Sequence, residues 1–238
     1  MSIKSENISI IIPVYNEALI IDTLMDNLEQ FQDKAEIIFV DGGSRDDTVR
    51  MIEKRYNLVQ SPQKGRANQM NYGALLSKGD ILLFLHADSI LPNNALDEIH
   101  KIICQGHKVG CFKIKFHSNS FLMKICGFMS NMRVRLRNIA FGDQGIFITK
   151  KYFYELGCFA KIPLMEDYKL SIDIKCDGQK IALASSKITT SERRFLKGEN
   201  YRTITRLKTM AKMQKLQYMY RNGRDVETIA NIYKSERD

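Results

Sequence analysis

The sequence predicts an α/β domain built on a mostly parallel, Rossmann-like sheet flanked by helices, with a helical C-terminal extension. Two observations carry this expectation. Short apolar runs and helix-period stretches alternate four times between residues 8 and 88, a pattern that implies right-handed βαβ units. The run Ile81-Leu82-Leu83-Phe84-Leu85 reads as a strand buried on both faces, and it stops abruptly at His86-Ala87-Asp88. Open α/β sheets take ligands in the crevice at the carboxyl edge of their strands. An imidazole and a carboxylate at that edge are therefore candidate ligand groups; a solvated aspartate in an ordinary turn is the plainer alternative.

The first strand is Ser9-Ile10-Ile11-Ile12-Pro13, expected to end at Pro13 because proline cannot donate to a ladder. It leads into Val14-Tyr15-Asn16-Glu17, and Ala18 to Phe31 then carries Ile21, Leu24, Met25 and Leu28 at helical spacing. Ile37-Ile38-Phe39-Val40 is a second buried strand ending at Asp41-Gly42-Gly43-Ser44. Two glycines admit a tight turn there, and Asp47-Thr48 is placed to cap the next helix. A short strand at Leu58-Val59 precedes Ser61-Pro62-Gln63-Lys64-Gly65-Arg66, and helical spacing resumes from Ala67 to Leu76. Polar groups thus collect at three strand ends: Tyr15 and Glu17, Asp41, and His86 with Asp88. Turn chemistry alone accounts for an aspartate such as Asp41.

In the second half, Val109 to Phe116 reads as a strand, and Leu122, Ile125, Met129, Met132 and Leu136 recur at spacings of three and four. That spacing predicts an amphipathic helix packed on the core, with Lys124, Arg133, Arg135 and Arg137 on its outer face and no acid from Phe121 to Phe141. The alternative lays this helix on an anionic membrane or beside an anionic acceptor. Phe141-Gly142-Asp143-Gln144-Gly145 precedes a strand from Ile146 to Thr149, and Leu164-Met165-Glu166-Asp167-Tyr168 opens a helix running to Asp177. Two carboxylates at a helix N-terminus interact favourably with the dipole; alternatively, one is a general base, and adjacent helical residues diverge so that only one reaches an acceptor directly.

A strand near Ile181-Ala182-Leu183-Ala184 is followed by Arg193 and Arg194, which read either as phosphate clamps or as a charged turn. From Glu199 to Arg221 a long helical pattern places Ile204, Leu207, Ala211 and Tyr218 on one stripe beside Lys208, Lys212 and Lys215. Gly223 ends it, and Val226 to Tyr233 forms a last short helix. The stripe is expected to dock on the protein, with weaker contact to an anionic membrane as the second reading.

Composition bounds these readings. The 238 residues are 44% hydrophobic and 26% charged, enough for a proper core. Five cysteines (104, 111, 126, 158 and 176) with no C-x-x-C pair argue against a disulfide framework or zinc site and favour a reducing compartment. With no charged-then-apolar leader and no apolar run near ~20 residues, the chain is expected to be cytoplasmic or peripheral at the inner face of a membrane. Of the net charge of +9, seven units fall from Lys187 to Asp238, where thirteen Lys/Arg face six Asp/Glu. Such a surface suits nucleic acid, phosphorylated ligands or anionic lipid, or is a solvated helix face. Base-stacking aromatics on a sheet are missing, so no nucleic-acid partner is expected. Neither G-x-G-x-x-G after the first strand nor G-x-x-x-x-G-K-[ST] is present, which argues against a dinucleotide dehydrogenase or P-loop NTPase.

In this order and spacing the motifs resemble those of the family 2 glycosyltransferases with the GT-A fold. Pro13-Val14-Tyr15-Asn16-Glu17 looks like the family's first-strand motif, and Asp41-Gly42-Gly43-Ser44 with Asp46-Asp47-Thr48 is similar to D-[DG]-G-S-x-D-x-[ST]. Lys64-Gly65-Arg66-Ala67, Asn71 and Gly73 match the third-strand loop and following helix, and His86-Ala87-Asp88 stands where the family has its D-x-D metal motif. The set also resembles a small branch of short soluble chains with H-A-D in that place, some linked to arsenosugar-type pathways.

The resemblance implies that Pro13, Tyr15 and Glu17 surround a nucleoside, that Asp41 takes its base or ribose, and that Lys64 and Arg66 lie near base or diphosphate. Asp88, with His86, would hold a divalent cation, Mn or Mg, on the diphosphate of a nucleotide-sugar; imidazole suits Mn better than Mg. Asp143 and Gln144 would shape the acceptor pocket, Asp167 would be the base, and Glu166 its positioning partner. The implied activity is metal-assisted inverting transfer of a sugar to a hydroxyl acceptor, either a small molecule or lipid-linked. The catalytic domain is expected over residues 1–195, with its nucleotide half to about residue 95, and the basic extension over 196–238. A nucleotidyltransferase is the first alternative, but Pro13-Val14-Tyr15-Asn16 is not the Gly-rich, Arg-containing loop such enzymes carry. A non-catalytic nucleotide-sugar-binding or membrane-docking module is the second, and Glu166-Asp167 weighs against it.

Overall fold

The computed structural model describes residues 7–118, 120–191 and 203–234. The first half runs β1 (Ile8–Val14), α1 (Ile21–Leu28), β2 (Glu36–Asp41), α2 (Thr48–Ile52), β3 (Leu58–Gln60), α3 (Arg66–Leu76) and β4 (Ile81–Phe84). The four expected strands and the alternation are all present. The second half runs β5 (Ser89–Ile90), α4 (Ala95–Cys104), β6 (Val109–Phe116), α5 (Phe121–Arg137), β7 (Ile146–Thr149), α6 (Lys150–Glu155), α7 (Glu166–Cys176) and β8 (Ala182–Thr190). Two further helices, α8 (Thr203–Arg221) and α9 (Val226–Lys234), follow.

One sheet holds these strands in the order β3-β2-β1-β4-β7-β6-β8-β5. The first four are parallel, so β1, β2 and β4 all point their carboxyl ends to one edge. Strand β7 inserts antiparallel between β4 and β6, and β8 pairs parallel with β6. Alternation along β1 sends Ile8, Ile10, Ile12 and Val14 to one face and Ile11 to the other, the period-2 rule of a strand. Helices α1, α2 and α4 cover the first face, and α3, α6 and α7 the second. Both faces of β4 are buried, as its unbroken apolar run requires.

Three local expectations are corrected. Strand β1 continues through Pro13, which pairs with Val40 of β2. Ile11 turns its carbonyl toward β4, accepting from the Leu85 N–H, so Pro13, two residues on, presents its missing donor to the same side, past the last β1–β4 pair at Ile11 and Phe84. Asp47 stands at the N-cap of α2 but makes no side-chain cap; Asp46 takes that part, accepting from Thr48 N–H at 3.1 Å and Thr48 Oγ1 at 2.5 Å. In α8, Ala211 and Tyr218 of the expected stripe are exposed, while the side chains of Ile204 and Leu207 lie outside the described residues. Among the described side chains of α8, Leu216 and Gln217 are buried instead, Leu216 clustered with Ile139, Met165, Tyr168 and Ile229. The helix does dock on the protein, through a different face.

Helix α3 lies close on the sheet because residue 73 has no side chain. A Cβ there would stand 2.5 Å from Ile11 Cγ2 and 3.0 Å from Val40 Cγ2. Gly73→Ala should therefore push α3 off β1 and β2 and cost about 1–3 kcal/mol, read as a lower urea midpoint with an unchanged slope.

Candidate active site

The carboxyl edge of β1 and β2 is tied down by polar contacts rather than by packing. Asp41 is buried and its carboxylate is spent on the turn that follows, accepting from Gly43 N–H at 2.7 Å, Ser44 N–H at 3.1 Å and Ser44 Oγ at 2.5 Å. Four further bonds lace residues 16–18 to residues 44–48. Asn16 N–H donates to Ser44 Oγ, Arg45 N–H to Asn16 Oδ1, Glu17 N–H to Thr48 Oγ1 and Ala18 N–H to Asp46 Oδ2. Asn16 adopts φ 52°, a left-handed conformation that asparagine tolerates. The Thr48 hydroxyl holds the Asp46 carboxyl below its usual range. This leaves the Tyr15 side chain standing 52% exposed above the edge, while Pro13 is buried beneath it.

Sequence reading passed over Gln69. Its buried amide donates to Val14 O and to Val40 O, both at 2.8 Å, and so bridges the carboxyl ends of β1 and β2. A glutamine inside a helical apolar stretch was the only signal available for it. Lys64 is exposed, and its Cε lies 4.0 Å from the point where a Cβ on Gly43 would stand, beside the Asp41 turn.

Glu166 and Asp167 open α7 after Met165, whose φ of 69° turns the chain sharply into the helix. Both carboxylates are nearly enclosed, at 1% and 8% exposure, and the helix N-terminus favours them. Arg66, at the start of α3, pairs with Glu166 across one hundred residues of sequence. Burial disfavours the guanidinium charge, but Glu166 and Asp167 outweigh it and hold Arg66 above its ordinary range. Asp167 accepts from Gly142 N–H at 2.8 Å through Oδ2 and from its own neighbour Tyr168 N–H at 2.7 Å through Oδ1.

The segment after β4 brings His86 to Gly142, the residue whose N–H this carboxylate holds. A Cβ on Gly142 would collide with His86 Nε2 and lie 3.4 Å from Asp167 Oδ2, so only glycine lets the imidazole and the carboxylate flank this point together. Asp88 follows His86 by two residues and is partly exposed, its carbonyl accepting from Ser191 N–H at 3.1 Å. Among the described residues no group of three or more His, Cys, Asp or Glu side chains is gathered for a metal ion. His86 and Asp88 supply one imidazole and one carboxylate, a donor set suited to a cation that draws the rest of its shell from phosphate and water.

Two expectations change here. Gln144 does not line an open pocket. It is fully buried, its Oε1 accepting from Arg133 Nη2 at 2.9 Å and its Nε2 donating to Phe112 O at 3.4 Å, so it braces the loop from inside. Arg133 is not on an outer basic face; it turns inward, donates to Ile139 O at 3.2 Å and stacks 4.0 Å over the Phe141 ring. Burial pushes its guanidinium below the usual range, partly offset by Asp143 and Asp167. Asp143 stays partly exposed in the turn Gly142–Gln144. Arg193 and Arg194 lie outside the described residues.

Residues 9–157 match the model of glycosyl transferase family 2. The chain belongs to that family. An uncharacterized glycosyltransferase of Haemophilus influenzae is 28% identical over 179 residues, covering 68% of this chain and 59% of that one. An undecaprenyl-phosphate 4-deoxy-4-formamido-L-arabinose transferase of Pseudomonas syringae is 32% identical over 114 residues, 43% of this chain and 34% of its own. The chain thus spans about a third of the length of that relative. Among solved structures, a mannosyltransferase of Pyrobaculum calidifontis in complex with GDP-Man and Mn2+ superimposes with a TM-score of 0.66 at 17% identity, covering 94% of this chain and 66% of that one. Glucosyl-3-phosphoglycerate synthase of Mycobacterium tuberculosis, in complex with Mn2+, UDP and glucosyl-3-phosphoglycerate, gives 0.59 at 18% identity, with coverages of 92% and 81%. At these identities the likeness shows the fold, which is that of the GT-A glycosyltransferases.

Two substitutions test this geometry. Gln69→Leu removes two buried hydrogen bonds, to Val14 O and Val40 O, and leaves Val14 O with the Gly42 N–H at 2.9 Å, so it should cost about 1–2 kcal/mol in urea unfolding. Arg66→Met leaves Glu166 as an uncompensated buried charge; because Arg66 is 32% exposed, the expected loss is about 2–3 kcal/mol, below that of a fully buried pair. Arg66→Met with Glu166→Gln should recover most of it.

Proposed function

We propose that this chain transfers a sugar, with inversion, from a nucleotide diphosphate-sugar to a hydroxyl acceptor. The observation that carries the reading is the position of Asp167, a nearly buried carboxylate held by Gly142 N–H and facing His86 across a point that only glycine leaves open. Inverting transfer needs a carboxylate on the acceptor side to take the hydroxyl proton as the oxygen attacks the anomeric carbon and the diphosphate departs from the opposite side. Asp167 Oδ2 is the atom assigned to that proton. Glu166, held by Arg66, is a positioning residue: it keeps the start of α7 in place while Asp167 turns toward the acceptor loop.

On the donor side, Pro13, Tyr15 and Glu17 surround the nucleoside, with the exposed Tyr15 ring open to stack on its base. Asp41 acts through the turn it braces, presenting the backbone of residues 42–44 to ribose. Lys64 and Arg66 border the diphosphate. Asp88 and His86 are the residues that would hold a divalent cation, Mn or Mg, which supplies charge neutralisation to the diphosphate leaving group. The solved relatives with Mn2+ and nucleotide support that role, and the imidazole at 86 favours Mn. His86 is also the residue that supports placing the chain in the H-A-D branch linked to arsenosugar-type pathways. Asp143, in the loop held by Gln144 and Arg133, faces the acceptor. The undecaprenyl-phosphate transferase relatives favour an acceptor tethered to lipid over a small free one.

A thermal-shift panel of UDP, GDP, dTDP and their sugars, each with Mn or Mg, tests the donor side, since a ligand of the native state raises the melting temperature by mass action. One nucleotide should give a metal-dependent shift that Asp88→Ala removes; no shift with any nucleotide overturns the donor assignment. With the donor so named, Asp167→Asn should keep the shift and lose turnover by about 10²–10⁴-fold. Retained turnover would move the base elsewhere.

A further inference from the structure

We propose that the outer face of α5 is a docking surface for an anionic phospholipid bilayer. The helix is packed the opposite way from what its apolar spacing predicts. Met123, Gly127 and Val134 form its buried stripe, with the backbone so close to β6 that a Cβ on Gly127 would stand 3.2 Å from Ile114 O. Asn131 fastens the same side, accepting from Ile114 N–H at 2.9 Å. The larger apolar residues therefore point to solvent: Phe121 is 78% exposed, Phe128 63%, Met129 59% and Leu136 77%, with Ile125 between them. Spaced at three, four and seven residues, they share one face of the helix. Of the eleven large apolar side chains exposed on the described surface, five sit on these seventeen residues, a clustering that marks an interaction surface rather than scattered exposure.

Charge identifies the partner. Lys124 and Arg135 lie on the helix beside the apolar face, and Lys115 and Lys187 are exposed on the adjoining strands β6 and β8. They border a groove of about 590 Å³ whose lining contains no aspartate or glutamate. An apolar face flanked by cations on a helix too polar to cross a bilayer is the pattern of an interfacial helix; among the described residues no helix is long and apolar enough to span a membrane. A second copy of the chain fits less well, because a two-fold contact sets the same patch against itself and would oppose these cations. Anionic headgroups complement them, each cation strengthening the partition about fivefold. The inner side of α5 carries Arg133, which holds Gln144 and the Phe141 ring, so a bilayer on the outer face would lie one helix away from the loop that meets Asp167. The proposal does not rest on the transferase reading.

Vesicle flotation of the full chain tests it, with vesicles of phosphatidylcholine alone and of phosphatidylcholine with phosphatidylglycerol. The chain should float with the anionic vesicles, less so as salt is raised, and stay behind with the neutral ones. Phe128→Asp with Met129→Asp should abolish flotation. Lys124→Ala with Arg135→Ala, which leaves the apolar face intact, should weaken it by about fivefold per charge removed. Leu19→Asp, at a site 99% exposed and away from α5, should behave as the wild type. A wild-type chain that ignores anionic vesicles, or a Phe128→Asp, Met129→Asp chain that binds them unchanged, overturns the proposal. So does a wild-type dimer in sedimentation that the same double variant dissociates, which would give the face to a second copy.

Discussion

Parallel register is the constraint on which the site depends. Because β1, β2 and β4 run the same way and lie side by side, their polar C-terminal residues end at one edge with no loop needed to gather them. The ladder ends there, so the last carbonyls need other partners, and a buried carbonyl without one is costly. Val14 O accepts from Gly42 N–H and, with Val40 O, from the Gln69 amide, and the Asp41 carboxylate supplies acceptors for the turn beyond. The edge is thus rigid before any ligand arrives, which lowers the ordering cost of binding one.

The second half of the chain completes the site by a charged contact of long sequence range. Arg66 and Glu166 join the start of α3 to the start of α7, and an ion pair with one member buried must be kept in place because either partner alone is penalised. That pairing puts Asp167 where Gly142 N–H can hold it and where His86 comes close. Two helix N-termini and one strand end converge, each supported by atoms from another part of the chain.

Helix α5 shows how one element serves both the interior and the surface. Its small buried stripe and Asn131 fit tightly against β6, while Arg133 reaches inward to brace the loop at the site. The bulkier apolar side chains are left outward, with exposed lysines and arginines beside them.

Much of this was legible in the sequence. Strand and helix alternation over residues 8–88, the buried run of β4 and the carboxylates opening α7 all follow from periodicity and propensity, which act between near neighbours. The motif order identified the family for the same reason, since it records local turns. Other features rest on which distant groups meet. Nothing local distinguishes Gln69 as a bridge or Gln144 as a brace, because each is defined by carbonyls and a guanidinium from other elements. Period 3.6 marks an apolar face on α5, but the face that is buried is the one whose shape fits β6, and at Gly127 that fit depends on having no side chain. The sequence by itself determined the elements and the edge at which their polar ends collect. Only the tertiary structure decided which polar groups satisfy one another, and which side of α5 faces the core, because close packing and hydrogen-bond satisfaction are properties of residues brought together by the fold.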